Sequence, residues 1–201
     1  MRKRKQNIIL ENIKLVSAGS KGVSVGKTDE GKTVLVSGAV PGDVVNARVK
    51  KSKSNYFEAE MIEIVERSPF RVEPRCIHFG VCGGCKWQNL PYEKQLEVKQ
   101  DEVYNHIKRI GGIEDFETMP ILGSDEQYFY RNKMEFSFSN ARWLTQYEIS
   151  SEENFGNRDA LGFHIPGMWS KILDLKECSL QEDPSNAMRS AIKKHAVENG
   201  L

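Results

Sequence analysis

The sequence has no run of eighteen apolar residues, the minimum length expected of a membrane-spanning helix. It also lacks the apolar leader of a secreted protein, and only 4 of its 201 residues are cysteine. Charged residues make up 28% of the chain and hydrophobic residues 39%. This composition is typical of a soluble globular chain of one or two domains, with no segment that spans a membrane. We therefore expect a cytoplasmic protein.

Positive charge is concentrated at the start of the chain, although the overall net charge is only +1. Residues 1–53 contain twelve Lys/Arg and four Asp/Glu, whereas residues 54–201 contain seventeen and twenty-four. The first part therefore carries +8 and the second −7. Such asymmetry indicates a polyanion partner for the first part, although a solvated basic face that binds nothing would look the same.

The cysteines form the most specific pattern in the chain. Three lie within ten residues at the spacing C-x5-C-x2-C, and 92 residues separate the third from the fourth: Cys76, Cys82, Cys85 and Cys178. Thiolates are soft ligands, and four of them suit an iron–sulfur cluster or a structural zinc. Zinc sites usually recruit two C-x2-C pairs, and only one is present, so the spacing favours iron–sulfur. Zinc, disulfides and unrelated core cysteines remain alternatives.

Residues 7–66 consist of short β-rich stretches separated by turns. The stretches are 8–16, 22–26, 33–36, 44–50 and 59–65. Five short strands within about sixty residues predict a small closed barrel of the oligonucleotide-binding type. Breakers at Ser68-Pro69 and Glu73-Pro74 predict a linker and a domain boundary here.

Cations stand beside aromatic residues in the predicted loop between the last two strands. Ammonium groups bind phosphates and ring faces stack on bases, so this loop is a candidate surface for single-stranded nucleic acid. The aromatic residues could equally be half-buried strand residues. The candidates are Lys50, Lys51, Lys53, Tyr56 and Phe57, and a basic tail at residues 2–5 adds further positive charge.

The second part of the chain predicts two helices around a set of strands. Pro91 starts the first helix, whose apolar face carries Leu96, Val103, Ile107 and Ile110. Asp183-Pro184 starts the second, with an apolar stripe at Ala187, Met188, Ala191 and Ile192. Between the helices, strands within 119–182 deliver Cys178 towards the cysteine loop.

Residues 133–139 alternate in the manner of a strand. Met134, Phe136 and Phe138 share its apolar face. Arg131 and Lys133 are candidate RNA contacts, although surface ion pairs with nearby carboxylates would explain them as well. His164 could be a ligand, an RNA contact or a structural residue.

Several motifs together resemble those of the RNA uracil-5-methyltransferases that carry an iron–sulfur cluster, the 23S ribosomal RNA type in particular. They cover nearly the whole chain in the expected order: Pro41-Gly42-Asp43, Ser68-Pro69, Arg75-Cys76 through Cys85, Gln95–Lys99, Tyr130-Arg131-Asn132-Lys133, Gly162–Gly167 and Ile172–Cys178. The resemblance implies an RNA-binding TRAM barrel at residues 6–66. It also implies an α+β central domain at 67–201 that holds a [4Fe-4S] cluster on Cys76, Cys82, Cys85 and Cys178. The expected fold class is therefore mainly β with α.

One part of the family pattern is missing from these residues. Family members continue into a domain that binds S-adenosylmethionine, where a cysteine attacks C6 of uracil and a carboxylate removes the C5 proton after methylation. This sequence contains no glycine-rich strand–turn–helix fingerprint and no cysteine beyond the four cluster candidates. We therefore expect a monomeric N-terminal fragment that recognises RNA, with no catalytic residue and no methyl transfer of its own. A non-enzymatic RNA-binding module with structural zinc, or an electron-transfer protein, are the alternatives.

Overall fold

The structure, a computed structural model, describes residues 8–151, 156 and 158–201. The predicted basic tail at residues 2–5 lies outside the described residues. The chain forms two compact units, each assembled from two separate segments. Unit 1 comprises residues 1–73 and 86–123, and unit 2 comprises residues 74–85 and 124–201. The predicted division into domains at residues 6–66 and 67–201 stays a prediction.

Unit 1 contains a closed five-stranded barrel, which confirms the predicted fold class. Its strands are β1 (Ile9–Gly19), β2 (Val23–Lys27), β3 (Thr33–Ser37), β4 (Val44–Ser52) and β5 (Tyr56–Glu66). The strand order is β1-β2-β3-β5-β4, and β1 pairs with β4 to close the barrel. Only the β3–β5 pair is parallel. Closure leaves every strand with two neighbours, so that no edge is exposed for pairing with another chain.

Alternation of small apolar side chains explains why these residues close into a barrel. In β3 the alternate residues Val34 and Val36 are fully buried, and Val45 and Ala47 are their counterparts in β4. Each strand therefore has one apolar face directed into the barrel. Gly26 is required in β2, since an added Cβ would lie 2.6 Å from the backbone oxygen of Lys14.

A buried carboxylate joins the turn before β4 to the segment after β5. Asp43 accepts backbone N–H groups from Val40 and Ser68, both at 2.9 Å, and pairs with Arg71 at 2.7 Å. Burial by itself would raise the pKa of Asp43, but the Arg71 guanidinium and the two N–H groups lower it below its ordinary value. The Pro41-Gly42-Asp43 and Ser68-Pro69 motifs are therefore two halves of one structural feature.

The predicted loop between the last two strands is mostly strand. Pairing of β4 with β5 continues to Ser52 and Phe57, so Lys50 and Lys51 lie in β4 and Tyr56 begins β5. The prediction of an eight-residue loop was wrong, because the ladder extends almost to the turn.

Helix α1 (Tyr92–Asn105) completes unit 1 and continues as a π-helical turn (His106–Ile110). Pro91 is the N-cap residue rather than the first helical residue. None of its residues is fully buried, and Val103 and Ile110 of the predicted apolar face are exposed. The prediction of a core helix was therefore wrong. A polar contact helps to attach the helix instead, since Ser20 Oγ donates to Glu102 at 2.6 Å.

Unit 2 contains a three-stranded antiparallel sheet in the order β6-β7-β8. The strands are β6 (Ser137–Ser139), β7 (Ala160–Ile165) and β8 (Met168–Asp174), and the short helix α2 (Gln146–Ser150) precedes β7. Ile165, Leu173 and Leu175 form a small core with Phe136 and Phe163 beside it. The predicted meander that leads to Cys178 is confirmed for β7 and β8.

The first strand of this sheet is shorter than predicted and shows the opposite face. Residues 133–136 are not strand, and Phe138 is exposed whereas Ser137 and Ser139 are half-buried. The predicted apolar face at Met134, Phe136 and Phe138 was therefore wrong at Phe138. The cause is a polar contact, because Ser137 Oγ lies 3.2 Å from His164 Nε2 on β7.

Helix α3 (Ser185–Glu198) also shows the opposite face from the one predicted. Its most buried residue is Arg189, which is 3% exposed and donates to the backbone carbonyls of Leu175 and Lys176. Lys193 pairs with Asp174 at 2.6 Å. Polar side chains thus attach the helix to the end of β8, and the predicted core stripe was wrong. Its exposed members are Ala187, Met188, Ala191 and Ile192.

Candidate metal centre and nucleic-acid interface

The cysteine loop is a series of tight turns stabilised by its own backbone. The N–H of Cys82 donates to the carbonyl of His78 at 2.9 Å, and the N–H of Phe79 to that of Cys76 at 3.0 Å. Gly80 has φ +87, a conformation that favours glycine. The N–H of Gly84 points at Cys82 Sγ, 3.4 Å away. Gly84 therefore directs a backbone donor towards one of the sulfurs, and hydrogen bonds to sulfur are among the contacts that tune iron–sulfur centres.

Contacts that do not involve sulfur hold this loop against the strands that lead to Cys178. The N–H of Lys176 donates to His78 Nε2 at 3.0 Å. Burial lowers the pKa of His78, which suits a neutral ring that accepts a hydrogen bond. At the other end of the loop, a Cβ added to Gly83 would lie 2.8 Å from Pro166. The loop and the end of the meander are thus packed together independently of any metal.

Cys178 itself is fixed from the side of α3. It is buried, its N–H donates to Asn186 Oδ1 at 2.8 Å, and its carbonyl accepts from Asn186 Nδ2 at 3.2 Å. All four cysteines belong to unit 2, and none of them forms a disulfide within the described chain. The predicted disulfide alternative therefore has no support in the structure.

Two of the cysteines, Cys76 and Cys82, have a pKa above the ordinary value of a thiol. Burial raises the pKa of Cys82, and the thiols of Cys85, Cys76 and Cys178 raise it further. Burial raises the pKa of Cys76 as well, and Cys85 and Cys178 add to the effect. The ionised forms of these two thiols are therefore disfavoured, by burial first and by the neighbouring thiols second. A bound cationic centre would offset this repulsion and deprotonate the thiols.

A site for a single metal ion was sought among the side chains of the described residues. Within residues 8–151, 156 and 158–201, no group of three or more His, Cys, Asp or Glu side chains is arranged to hold one metal ion. A [4Fe-4S] cluster takes four cysteine thiolates, each on a different iron, and so does not need sulfurs that converge on one point. The donor set fits such a cluster in kind and number.

His164 is bonded within the fold. Its Nε2 lies 3.2 Å from Ser137 Oγ, and its ring is 5.5 Å from that of Trp169. The buried Nδ1 has no hydrogen-bond partner among the described residues. Its contact with Ser137 favours the structural role over the ligand role.

The candidate RNA residues of the barrel differ in how free their side chains are. Lys50 pairs with Glu60 at 2.5 Å and Lys51 with Glu58 at 3.0 Å. Lys53 is exposed in the turn between β4 and β5, and none of the ion pairs in the described part of the chain includes it. It is therefore the cation most available for a phosphate.

The two aromatic candidates are half-buried, as the alternative interpretation anticipated. Phe57 packs against the barrel core, and Lys32 Nζ lies 3.9 Å from its ring centre. Tyr56 lies next to it at the start of β5. The ring of Phe57 therefore has only part of its surface open to a ligand.

The candidates of unit 2 lie close together in sequence but differ in environment. Lys133 pairs with Glu135 at 2.9 Å, and both side chains are about 80% exposed. The alternative interpretation as a surface ion pair is thus observed. Arg131 is exposed, and within the described residues its guanidinium makes a weak contact, 4.0 Å to Met134 Sδ.

Sequence reasoning missed three arginines that stabilise the fold. Arg71 pairs with the buried carboxylate of Asp43, and Arg189 donates to the backbone carbonyl of Lys176. The guanidinium of Arg75 lies about 5 Å from the rings of Tyr128 and Phe129. The partners are 28, 13 and more than 50 residues away in sequence, so no local pattern announces them. For Arg71 the sequence offers one signal, Pro69, which lies two residues earlier and marks a fixed turn.

Comparison with known proteins gives consistent matches. Residues 4–62 match the TRAM domain family model. A protein of Bacteroides thetaiotaomicron described as an uncharacterized RNA methyltransferase is 46% identical over 180 residues, which is 90% of this chain and 39% of that protein. A similarly described protein of Chlorobaculum tepidum is 44% identical over 203 residues, covering 100% of this chain and 42% of the relative. The chain thus spans about two fifths of the length of these relatives.

A solved structure has a similar fold. The crystal structure of Pyrococcus abyssi tRNA (uracil-54, C5)-methyltransferase in complex with S-adenosyl-L-homocysteine matches with a TM-score of 0.54. It is 24% identical, and the match covers 94% of this chain and 37% of that protein. At this identity the likeness shows the fold alone. None of the helices in the described part of the chain has the length and apolar character that a membrane crossing requires.

Proposed function

Since the chain carries a TRAM domain and is homologous to proteins named RNA methyltransferases, we propose that it is the RNA-recognition part of an S-adenosylmethionine-dependent RNA uracil-5-methyltransferase. The observation that carries the proposal is the closed five-stranded barrel, which coincides with the TRAM match. We assign 23S ribosomal RNA as the substrate and the cytoplasm as the location. The protein acts as a monomer.

The two units have different tasks in this proposal. In the barrel, Lys53 and the partly open ring of Phe57 contact phosphates and bases, while Lys50 and Lys51 must exchange their carboxylate partners for phosphate. In unit 2, Arg131 contributes a phosphate contact, and Lys133 does so after releasing Glu135. These contacts position the RNA, and most of them carry no sequence information.

The cluster belongs to unit 2 and is held by Cys76, Cys82, Cys85 and Cys178. The support is that all four cysteines belong to unit 2, that the cysteine loop is bonded to the residues before Cys178 through His78 and Lys176, and that the Gly84 N–H already donates to the candidate ligand Cys82. When bound, a [4Fe-4S] centre supplies four iron–thiolate bonds that join the loop to the end of the meander. Its role here is structural. Methyl transfer, with its cofactor and its own cysteine nucleophile, belongs to the part of the longer relatives that this chain does not span.

Salt dependence tests the RNA-binding half of the proposal. We expect the 201-residue chain to bind single-stranded RNA with an affinity that falls steeply with salt, because each neutralised phosphate contributes about −0.7 to the slope of log K against log salt. Lys53→Gln should reduce the slope by about 0.7, whereas Lys51→Gln, whose charge is paired with Glu58, should reduce it less. Fluorescence anisotropy with a 23S rRNA hairpin and with a tRNA transcript measures both affinity and preference. An affinity that does not change with salt, or no binding at low salt, would contradict the proposal that this chain recognises RNA.

Colour tests the cluster. Protein purified without oxygen should be brown and absorb at about 400 nm, as expected for thiolate-bound [4Fe-4S] centres. It should contain four irons and four sulfides per chain. A colourless protein that contains one zinc per chain would contradict the cluster and favour a structural zinc site.

A further inference from the structure

Unit 2 contains a groove that none of the features described above accounts for. It has a volume of about 480 Å³ and lies between residues 129–132 and helix α3. Ligand pockets typically occupy a few hundred to about a thousand Å³. Its walls combine the ring of Tyr130 and the aliphatic side chains of Met188 and Ile192 with the guanidinium groups of Arg131 and Arg189.

The wall that carries Tyr130 is held rigidly by the backbone. The N–H of Phe129 donates to the carbonyl of Ser179 at 2.9 Å, and that of Arg131 donates to the carbonyl of Leu180 at 2.8 Å. Phe129 has φ +58, a left-handed conformation that is strained for a bulky residue. The Arg75 guanidinium stacks 5.0 Å from its ring. Strain that is held by surrounding contacts is characteristic of binding sites, where it fixes a side chain in position.

Tyr130 is an exposed aromatic residue on this rigid wall. It is 57% exposed, whereas the neighbouring ring of Phe129 is already stacked by Arg75. An exposed aromatic ring fixed on a rigid backbone loses little conformational entropy when a flat ligand stacks on it.

Two arginines are the cationic groups of the groove, which is also lined by the carboxylate residue Glu182 and by the neutral polar residues Asn132, Gln181 and Ser185. Arg131 is exposed at its rim. Arg189 is 3% exposed, and its buried Nε has no hydrogen-bond partner among the described residues. A buried donor without a partner costs free energy until an acceptor arrives. A ligand that suits the groove therefore has a flat apolar face, carbonyl acceptors at its edge and a negative charge beside it.

We propose that this groove binds one unstacked nucleobase of single-stranded RNA. The base stacks on Tyr130 between Met188 and Ile192, and the adjoining phosphate pairs with Arg131. A nucleotide combines the three required properties, and stacking on an aromatic ring is how single-stranded nucleic acids are generally held. The proposal rests on the RNA-binding function proposed above, and it adds a base-stacking site to the phosphate contact that Arg131 makes in unit 2.

The test compares tyrosines of equal chemistry at two places in unit 2. The probe is a fluorescein-labelled ten-nucleotide oligouridylate, bound to the full 201-residue chain and followed by anisotropy at several salt concentrations. Tyr130→Ala should weaken binding by about fivefold or more, the loss expected for one stacked base. Tyr130→Phe keeps the ring and should retain affinity. Tyr147→Ala, which removes an 82% exposed tyrosine outside the groove, should change nothing.

Salt dependence separates stacking from charge. Tyr130→Ala should leave the slope of log K against log salt unchanged, because stacking releases no counterions. Arg131→Gln should reduce the slope by about 0.7, the contribution of one phosphate contact to a single strand. Circular dichroism of each variant checks that the fold is retained.

Each contrary outcome overturns a different statement. If Tyr130→Ala binds normally while Lys53→Gln binds weakly, the groove is not a base site and barrel recognition stands. If the wild-type chain does not bind the probe at low salt, RNA recognition itself fails. If Met188→Glu changes the oligomeric state by light scattering and Tyr130→Ala leaves RNA affinity intact, the groove is a protein interface instead.

Discussion

At the scale of single residues, Asp43 shows that a short motif predicts a turn but not the burial of its side chain. The sequence identifies Pro41-Gly42-Asp43 as a tight turn, which it is. It does not show that the carboxylate is fully buried, because its partners, Ser68 and Arg71, come from beyond two further strands. Turn chemistry is local and can be predicted from the sequence, whereas the burial of a charge depends on where distant segments pack.

We expect Asp43→Asn to lower the free energy of unfolding by about 3 kcal/mol, because it leaves the Arg71 charge buried without its partner. The pKa of Asp43 is lowered in the folded state, so its stabilising effect is present above the unfolded pKa of about 4. The effect disappears as the pH falls through the lower folded value. Urea unfolding at pH 7 and at decreasing pH measures both. The matched control is Glu73→Gln, which breaks an exposed pair with Arg67 and should cost less than about 1 kcal/mol.

At the scale of elements, the strands and helices were predicted from periodicity more reliably than their faces. The positions of α1 and α3 agree with the sequence patterns to within a few residues, and so do all five strands of the barrel. Both helices, however, direct apolar residues outward. In α3, Arg189 is buried and Met188 is exposed, because Arg189 donates to backbone carbonyls that follow β8. The free energy of satisfying these buried carbonyls exceeds the free energy of burying the Met188 thioether.

Arg189→Met should destabilise unit 2 by about 3 kcal/mol, since two backbone carbonyls lose their charged donors. Lys194→Met, on the same helix and 75% exposed, is the matched control and should be nearly neutral. Hydrogen exchange of the β7 and β8 amides reports the local effect. Equal protection in both variants would mean that α3 is attached by other contacts.

At the scale of the whole molecule, each unit is assembled from two separate segments of the chain, and this arrangement was not predictable. The barrel could be derived from the sequence because its strands are consecutive and its turns are local. The second unit could not, because residues 74–85 join it by non-local contacts such as that between His78 and Lys176. The four cysteines were the one signal that connects these segments in the sequence.

We expect Cys178→Ser to abolish the cluster and to unfold unit 2 at a lower temperature, while the barrel melts as in the wild type. The control is His164→Ala, which removes another potential metal ligand of unit 2, one that is bonded to Ser137, and it should leave the iron content unchanged. Iron and sulfide analysis, with calorimetry of both variants, makes the comparison. Iron retained in Cys178→Ser would exclude this residue as a ligand, and iron lost in His164→Ala would add the ring to the ligand set.

The wide gap between the third and fourth cysteines also has a consequence during protein synthesis. A ribosome that adds about 5–20 residues per second needs roughly 5–20 s to make the 92 residues between Cys85 and Cys178. Throughout that interval the nascent chain displays three thiols and no fourth. A cluster held by all four cysteines, as proposed above, would therefore be completed only late in translation, and a carrier that protects the three early thiols would raise the yield of correctly loaded molecules.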